Sequence, residues 1–221
     1  LSKVKYIFAD ISKKKLLRKK INNNYSFVVN LGGYVDHSNK KKIFEDHFGG
    51  CKNLCEVLNK QKLKTFVQMG SSVEYGKQKS PHEEKIKLKE PKSIYAKSKF
   101  MAINYLINLY IKKKFPAVVL RLYQTYGPNQ DNNRLIPFVI NACIKDRKFP
   151  CSDGNQYRDF VYIQDLVRSI FLSFNNSKSF GQVINIGSGK PEKIKDIINF
   201  IVKYLNSGIP KFNEKLAHSF N

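Results

Sequence analysis

The stretch KTFVQMGSS, residues 64–72, clusters Phe66, Val67 and Met69 with only Gln68 between them and then stops at Gly-Ser-Ser. That is the signature of a strand buried on both faces. Downstream, SIYAKSKF (93–100) follows a break at Pro91 and runs on through INYLINLYIKKKF as a helix over about 93–114. AVVLRLY (117–123) is again a buried-type strand, followed by the turn GPNQDNN. A strand, a helix and a strand in this order, with near-continuous apolar strands, call for a parallel sheet covered on both sides.

The same alternation extends outward. VKYIFAD (4–10) reads as a strand and SKKKLLRKKI (12–21) as a short helix with Ser12 as its cap. SFVVNLGG (26–33) is a β-rich run closed by two glycines. Residues 39–60 place Ile43, Phe44, Phe48, Leu54 and Leu58 at helical spacing. Residues 134–147 and QDLVRSIFLSF are helical, QVINIG is a strand, and PEKIKDIINFIVKYL is a helix with Pro191 at its start. From RLYQTYGP onward the alternation loosens, which suits a smaller region built from inserted loops. In open parallel sheets ligands bind beyond the carboxyl ends of the strands. The residues to watch are therefore Asp10, Asn30-Leu31-Gly32-Gly33, Gly70-Ser71-Ser72, Leu122-Tyr123-Gln124, Asn185 and Gly187.

Composition narrows the classes. No run of 18 apolar residues exists in the 221, so no membrane-spanning helix is expected, and LSKVKYIFAD lacks the apolar core of a secretory signal. The net charge of +23 admits a nucleic-acid binder or a lysine-biased composition. The basic residues are 34 Lys and only 6 Arg, spread along the chain among 21 Asn, so the compositional reading prevails and no nucleic acid is expected as partner. Cys51, Cys55, Cys143 and Cys151 lack metal-knuckle spacing, and His37, His47, His82 and His218 form no ligand pattern. Reduced cysteines, a cytoplasmic location and no metal are the expectation.

Tyr95 and Lys99 stand at i and i+4, about 6 Å apart at their Cβ atoms on one helical face. A neighbouring ammonium favours the phenolate and lowers the phenol pKa from its usual value near 10. A tyrosine so tuned exchanges a proton near neutral pH, as oxidation of an alcohol by hydride transfer requires. Ser71, at the end of the preceding strand, supplies a hydroxyl to hold the developing oxyanion. In a Lys-rich chain the pair alone is weak; its placement after a serine-ended strand and before another strand gives it meaning.

FVQMGSSVEYG, PKSIYAKSKF, VVLRLYQTYGP, RDFVYIQDLV and INIGSGKP occur in this order, with NLGGYVDHS and DNNRLIPFVI. Together they resemble the extended short-chain dehydrogenase/reductase family, specifically its NAD-dependent epimerase/dehydratase group acting on nucleotide sugars, over about residues 4–210. The resemblance implies a Rossmann-like parallel sheet with helices on both faces, shortened at the N-terminus, plus a small partial substrate-binding region. It implies a partial NAD(P)-binding unit over 1–125 and a mixed region over 126–221 that contributes the substrate site and returning elements. It assigns Ser71, Tyr95 and Lys99 as catalytic, with Tyr95 and Lys99 also at the cofactor. Asp10 with Ile11, then Leu31, Gly32 and Gly33, then Tyr123 and Thr125 are implied along NAD or NADP. Ser72, Gln124, Arg134, Leu135 and Arg158 are implied around a nucleotide-diphosphate sugar, with Arg158 clamping the diphosphate. A homodimer through about 39–60 and 93–114 follows from the same resemblance. Plainer alternatives stand beside three of these: Asp10 as a helix-start acid, Arg158-Asp159 as a structural pair, and Gly32-Gly33 as a strand end.

The sequence departs from the family in three ways. The opening strand, G-x-x-G-x-x-G turn and helix that hold the pyrophosphate are not found, a unit of roughly 30 to 50 residues. Weak NAD binding and little turnover by residues 1–221 alone are therefore expected, and an inactive relative stays open. The Asp-Glu pair that sugar 4,6-dehydratases carry after the catalytic Ser/Thr is Ser72-Val73, which disfavours dehydration and leaves 4-epimerisation or 4-keto reduction. The wording looks closest to deoxysugar reductases and epimerases of the abequose/paratose synthase type, in deoxysugar or surface-polysaccharide precursor synthesis. Gly49 stands where several epimerases place a cofactor-contacting Asn.

Overall fold

A computed structural model describes residues 4–21, 24–34 and 38–214. Val35, Asp36 and His37 of NLGGYVDHS, and His218, lie outside them. The chain divides into two compact units, 1–122 with 168–186, and 123–167 with 187–221.

The first unit is a four-stranded parallel sheet in the order β1-β2-β3-β8, where β1 is Phe27–Asn30, β2 Thr65–Ser71, β3 Ala117–Leu122 and β8 Val183–Ile186. Six consecutive residues of β2 and five of β3 are buried, so both faces are covered. Its helices are α1 (Lys14–Lys20), α2 (Lys40–Phe44), α3 (Gly50–Val57) and α4 (Ile94–Lys113). On one face Phe66 stacks at 5.7 Å on Phe115. Around them pack Cys51 and Cys55 of α3, Ala102, Ile103 and Leu106 of α4, and Val119. α2 and α3 form one run, joined through a π-helical turn at Glu45–Gly49, so the expected single helical segment over 39–60 carries an extra residue in its middle. Residues 168–173 of α6 (Ile163–Ser173) belong to this unit, and Phe27 of β1 stacks on Phe174 at 4.6 Å.

The second unit is built from three two-stranded ladders and two helices. β4 (Gln124–Tyr126) pairs parallel with β7 (Phe160–Tyr162), β5 (Lys148–Pro150) parallel with β10 (Ile209–Lys211), and β6 (Tyr157–Arg158) antiparallel with β9 (Glu192–Lys193). α5 (Leu135–Ile144) and α7 (Ile194–Leu205) close over Val139, Cys143, Phe149, Cys151, Ile194 and Ile198.

Three expectations are corrected. Residues 4–10 have strand-like residues but no strand among the described residues pairs with them; Tyr6 and Phe8 are exposed, and the segment is irregular. α1 starts at Lys14 with no side-chain cap, because Ser12 turns the other way and donates its N–H and hydroxyl to Asp10 Oδ1 at 2.8 and 2.6 Å. α7 starts at Ile194, not at Pro191, because Glu192 and Lys193 are drawn into the ladder with β6.

Candidate active site

β2 delivers Ser71 at its carboxyl end, and α4 delivers the other two groups of the triad. The Ser93 hydroxyl accepts from Ala96 N at 3.2 Å and starts α4 there, which puts Tyr95 in its first turn and Lys99 one turn on. The Lys99 ammonium lies 5.9 Å from the Tyr95 ring centroid and donates to Met69 O at 3.0 Å, so the lysine bridges the tyrosine to the strand that ends in Ser71. Lys99 is buried. Burial pushes its pKa below the ordinary lysine value, and the Glu74 carboxylate partly offsets this. The edge of the His47 ring meets the Tyr95 ring at 5.1 Å.

A polar network that sequence reasoning missed stands behind Ser71. Glu74 Oε1 accepts the Ser71 amide at 2.6 Å, and its Oε2 accepts Arg121 Nε at 2.8 Å. Arg121 also donates to the Tyr75 hydroxyl at 2.8 Å, which in turn donates to Asn185 Oδ1 at 2.9 Å. Burial raises the Glu74 pKa above the usual carboxylate value, against the opposing pull of Arg121. One signal was legible: Arg121 interrupts the apolar run AVVLRLY, and a charge inside a buried strand demands a partner.

The residues assigned to the cofactor's adenine side gather around the end of β1. Asn53 Nδ2 donates to the backbone oxygens of Ile11 and Ser12 at 2.9 and 3.0 Å, docking the 10–12 turn on α3. Ile11 lies so close to Gly32 and Gly50 that a Cβ on either would fall 2.7 or 2.6 Å from its Cδ1. A Cβ on Gly33 would overlap the His47 ring. These glycines are needed for close packing, which is more than ending a strand. Leu31 is left 70% exposed. Asp10 is not a helix cap; Ser12's two hydrogen bonds hold its carboxyl below the usual range. Gly49 has open space where a side chain would be. Ser72 follows Ser71 in a 3-10 turn, Ser72–Tyr75.

In the second unit a cleft of about 190 Å³ is lined by Gln124, Arg134, Leu135 and Arg158, four of the five residues assigned to substrate, and by Thr125, assigned to cofactor. Aromatic and aliphatic walls come from Tyr126, Phe138, Phe160 and Ile194, and no carboxylate of the described residues lines it. Arg158 is exposed and donates to Tyr157 O at 2.9 Å. It forms no ion pair with Asp159, whose carboxylate instead accepts the Ser188 and Gly189 amides at 2.7 and 2.9 Å. Tyr123 packs beside Gly187, 3.4 Å from where a Cβ would stand.

A parallel α/β sheet with a hydroxyl at one strand end and a tyrosine–lysine pair on the following helix defines the class. Residues 1–187 match the NAD dependent epimerase/dehydratase family. The chain belongs to that family. It is 28% identical over 153 residues to the uncharacterized UDP-glucose epimerase YtcB of Bacillus subtilis, covering 68% of this chain and 48% of that protein. It is 28% identical over 179 residues to dTDP-D-glucose 4,6-dehydratase of Dictyostelium discoideum, covering 73% of this chain and 41% of that one. The chain thus spans less than half the length of these relatives. Among solved structures, UDP-glucuronic acid 4-epimerase from Bacillus cereus, in complex with UDP-glucuronic acid and NAD, matches with a TM-score of 0.77 and 26% identity, over 94% of this chain and 66% of that one. RMD from Pseudomonas aeruginosa, complexed with NADPH, shares the fold with a TM-score of 0.82 at 20% identity, over 94% and 76%.

Proposed function

We propose that this chain carries the catalytic residues of an NAD(P)-dependent nucleotide-sugar 4-epimerase or 4-keto reductase. The observation that supports it most is the buried Lys99, which is bonded to β2 through Met69 O and lies against the Tyr95 ring. In this reading Tyr95 removes the proton of a sugar hydroxyl while Ser71 holds the oxygen as charge develops. Bound nicotinamide supplies the hydride acceptor and donor. Lys99 holds the nicotinamide ribose and orients the phenol. Epimerisation returns the proton from Tyr95 after the keto sugar has turned its other face; reduction uses the protonation once.

The donor set fits the two ends of a dinucleotide. Tyr95 and Lys99 present donors on one face, and Asp10 offers a carboxylate next to Ile11, which packs on Gly32. No glycine-rich turn for the pyrophosphate occurs in residues 1–221, so we expect full activity only where such a turn is supplied. The same observation favours a second reading, an inactive relative. Gln124, Arg134, Leu135 and Arg158 are proposed to hold the nucleotide diphosphate, an anion suited to guanidinium groups in a cleft lined by no carboxylate of the described residues. Ser72 and Val73 offer no acid–base pair for dehydration, and Glu74 is committed to Ser71 and Arg121. Deoxysugar or surface-polysaccharide precursor synthesis, a homodimer through the α2–α3 run and α4, and a cytoplasmic location complete the proposal. No helix of the described residues is long and apolar enough to cross a membrane.

The test is Tyr95→Phe, in a chain that carries a glycine-rich turn. NAD binding should persist while kcat falls about 10²- to 10⁴-fold; an unchanged kcat sinks the assignment.

A further inference from the structure

The turn after Ser71 contains a capping box, in which Ser71 Oγ accepts from Val73 N and Glu74 reaches back to the Ser71 amide. Two features set it apart from a surface cap. The Glu74 side chain is 0% exposed and its Arg121 partner 4%. The arginine is in turn held from three sides: by Glu74, by the Tyr75 hydroxyl, and by the Tyr75 ring 4.5 Å beneath its guanidinium. Asn185 extends the anchor to β8, where it donates to His82 O at 3.1 Å and accepts Tyr75, while its amide reaches Glu84 at 3.0 Å. Gly70 leaves room for the fold-back, since a Cβ there would stand 3.1 Å from Glu74 Oε1 and 3.2 Å from Val119 Cγ1.

Burying a carboxylate and a guanidinium adds little net stability, because desolvation consumes the attraction; a well-packed apolar pair is often as good or better. What the ion pair gives that an apolar pair cannot is a fixed acceptor for one backbone amide. The Ser71 hydroxyl needs that help. Its own bond, to Val73 N, is long at 3.4 Å, so its place is set by the backbone at the end of β2. The same short piece of strand anchors Lys99 through Met69 O, and the Glu74 charge opposes the loss of the Lys99 proton.

We propose that Glu74, clamped by Arg121, is a positioning residue that sets the Ser71 backbone and so aims its hydroxyl at the reacting oxygen. This rests on the reading of Ser71 as the group that holds that oxygen. The clamp acts through Ser71 and touches no substrate.

The decisive variant is Glu74→Met with Arg121→Met, an apolar pair of similar size. Glu74→Gln, which keeps the volume and one acceptor oxygen, serves if the double variant does not fold. The first readout needs no turnover: the Ser71 amide in residues 1–221, followed by ¹⁵N–¹H NMR and hydrogen exchange. The wild type should show it downfield and protected. The double variant should move it upfield and speed its exchange roughly 10- to 100-fold relative to neighbouring strand amides, the worth of a bond to a charged acceptor. The second readout is kinetics in a chain carrying a glycine-rich turn. The double variant should lose about 10²-fold in kcat with KM within threefold, the effect of a misplaced group rather than of lost binding. An unmoved Ser71 amide, or a kcat preserved within threefold in a folded double variant, overturns the proposal. A wild type without turnover on any nucleotide sugar sinks the proposed function instead, and the Ser71 amide still decides the clamp.

Discussion

Replacing Lys99 by Met separates chemistry from stability. The side chain is 7% exposed, and its ammonium has Met69 O as its hydrogen-bond partner, at 3.0 Å. Met keeps the unbranched length and fills irregular space well. The change removes a hydrogen bond from a charged donor, worth about 1.5–3 kcal/mol. It also removes a buried ammonium whose desolvation costs several kcal/mol. Glu74 is not stranded, because Arg121 remains on its other oxygen. The terms oppose one another and the net change should stay within about 1–2 kcal/mol of zero, a Tm shift of at most about 8 °C for a chain this long. Loss of the group that orients Tyr95 should meanwhile lower kcat by about 10²- to 10⁴-fold. Thermal unfolding by circular dichroism on residues 1–221 reads the first quantity, and initial rates with NAD(P) and a nucleotide sugar, in a chain with a glycine-rich turn, read the second. If Lys99 were only a structural cation, the protein would lose about 3–5 kcal/mol, as when one partner of a buried pair is removed, and rates would track the folded fraction. A Lys99→Met protein that melts about 10 °C or more below wild type, or keeps kcat within threefold, refutes the reasoning.

Other expectations follow from the same geometry. Arg158→Ala should raise the KM or Kd for a nucleotide-diphosphate sugar about 10- to 100-fold with little change in kcat, because a diphosphate contact is made equally in ground and transition states; calorimetric titration of UDP into the chain checks it, and unchanged binding excludes the cleft as the diphosphate site. Burial pushes the Cys151 thiol up to about 11 and raises Cys55 and Cys143 as well, so at pH 8 only ~10⁻³ of Cys151 is thiolate. The native chain should take up iodoacetamide far more slowly than the urea-unfolded chain with its four free cysteines, and labelling of Cys151 should speed up as pH climbs toward 11. Mass spectrometry of labelled peptides reads this. Phe66→Ala, at a fully buried site against Phe115, should cost about 3–5 kcal/mol, measured by urea unfolding; a cost under 1 kcal/mol would mean the α3–α4 face is not the packed core described.

The parallel sheet was legible because its signal is local: β2 and β3 are rich in apolar residues interrupted only by Gln68 and Arg121, and Ser93 and Pro91 mark the start of α4 within a few residues. Residues 4–10 misled for the opposite reason. Their residue types favour a strand, but a strand exists only with a partner, and none among the described residues pairs with them. The helix at 191–205 was placed too early because a Pro start signal was weighed without the ladder that Glu192 and Lys193 form with residues 157–158. Ser71, Tyr95 and Lys99 could be marked from spacing and family likeness. The Glu74–Arg121 contact spans 47 positions and had no spacing signal at all. His47, in the π turn, likewise meets Tyr95 where Gly33 leaves room for its ring. Gln124 and Thr125 of β4, Arg134 and Leu135 at the start of α5, and Arg158 of β6 come from three elements, and only the tertiary fold shows that they line one cleft.

The central claim is that Tyr95 drives proton transfer coupled to hydride transfer at a sugar carbon. Its most direct test uses a nucleotide sugar deuterated at C4, incubated with NAD(P) and a chain that carries a glycine-rich turn, followed by mass spectrometry of the nicotinamide cofactor. Deuterium should appear on the reduced nicotinamide with wild type and at least about 10²-fold less with Tyr95→Phe. No deuterium on the cofactor from UDP- or dTDP-sugars with wild type, or equal labelling by both proteins, contradicts it.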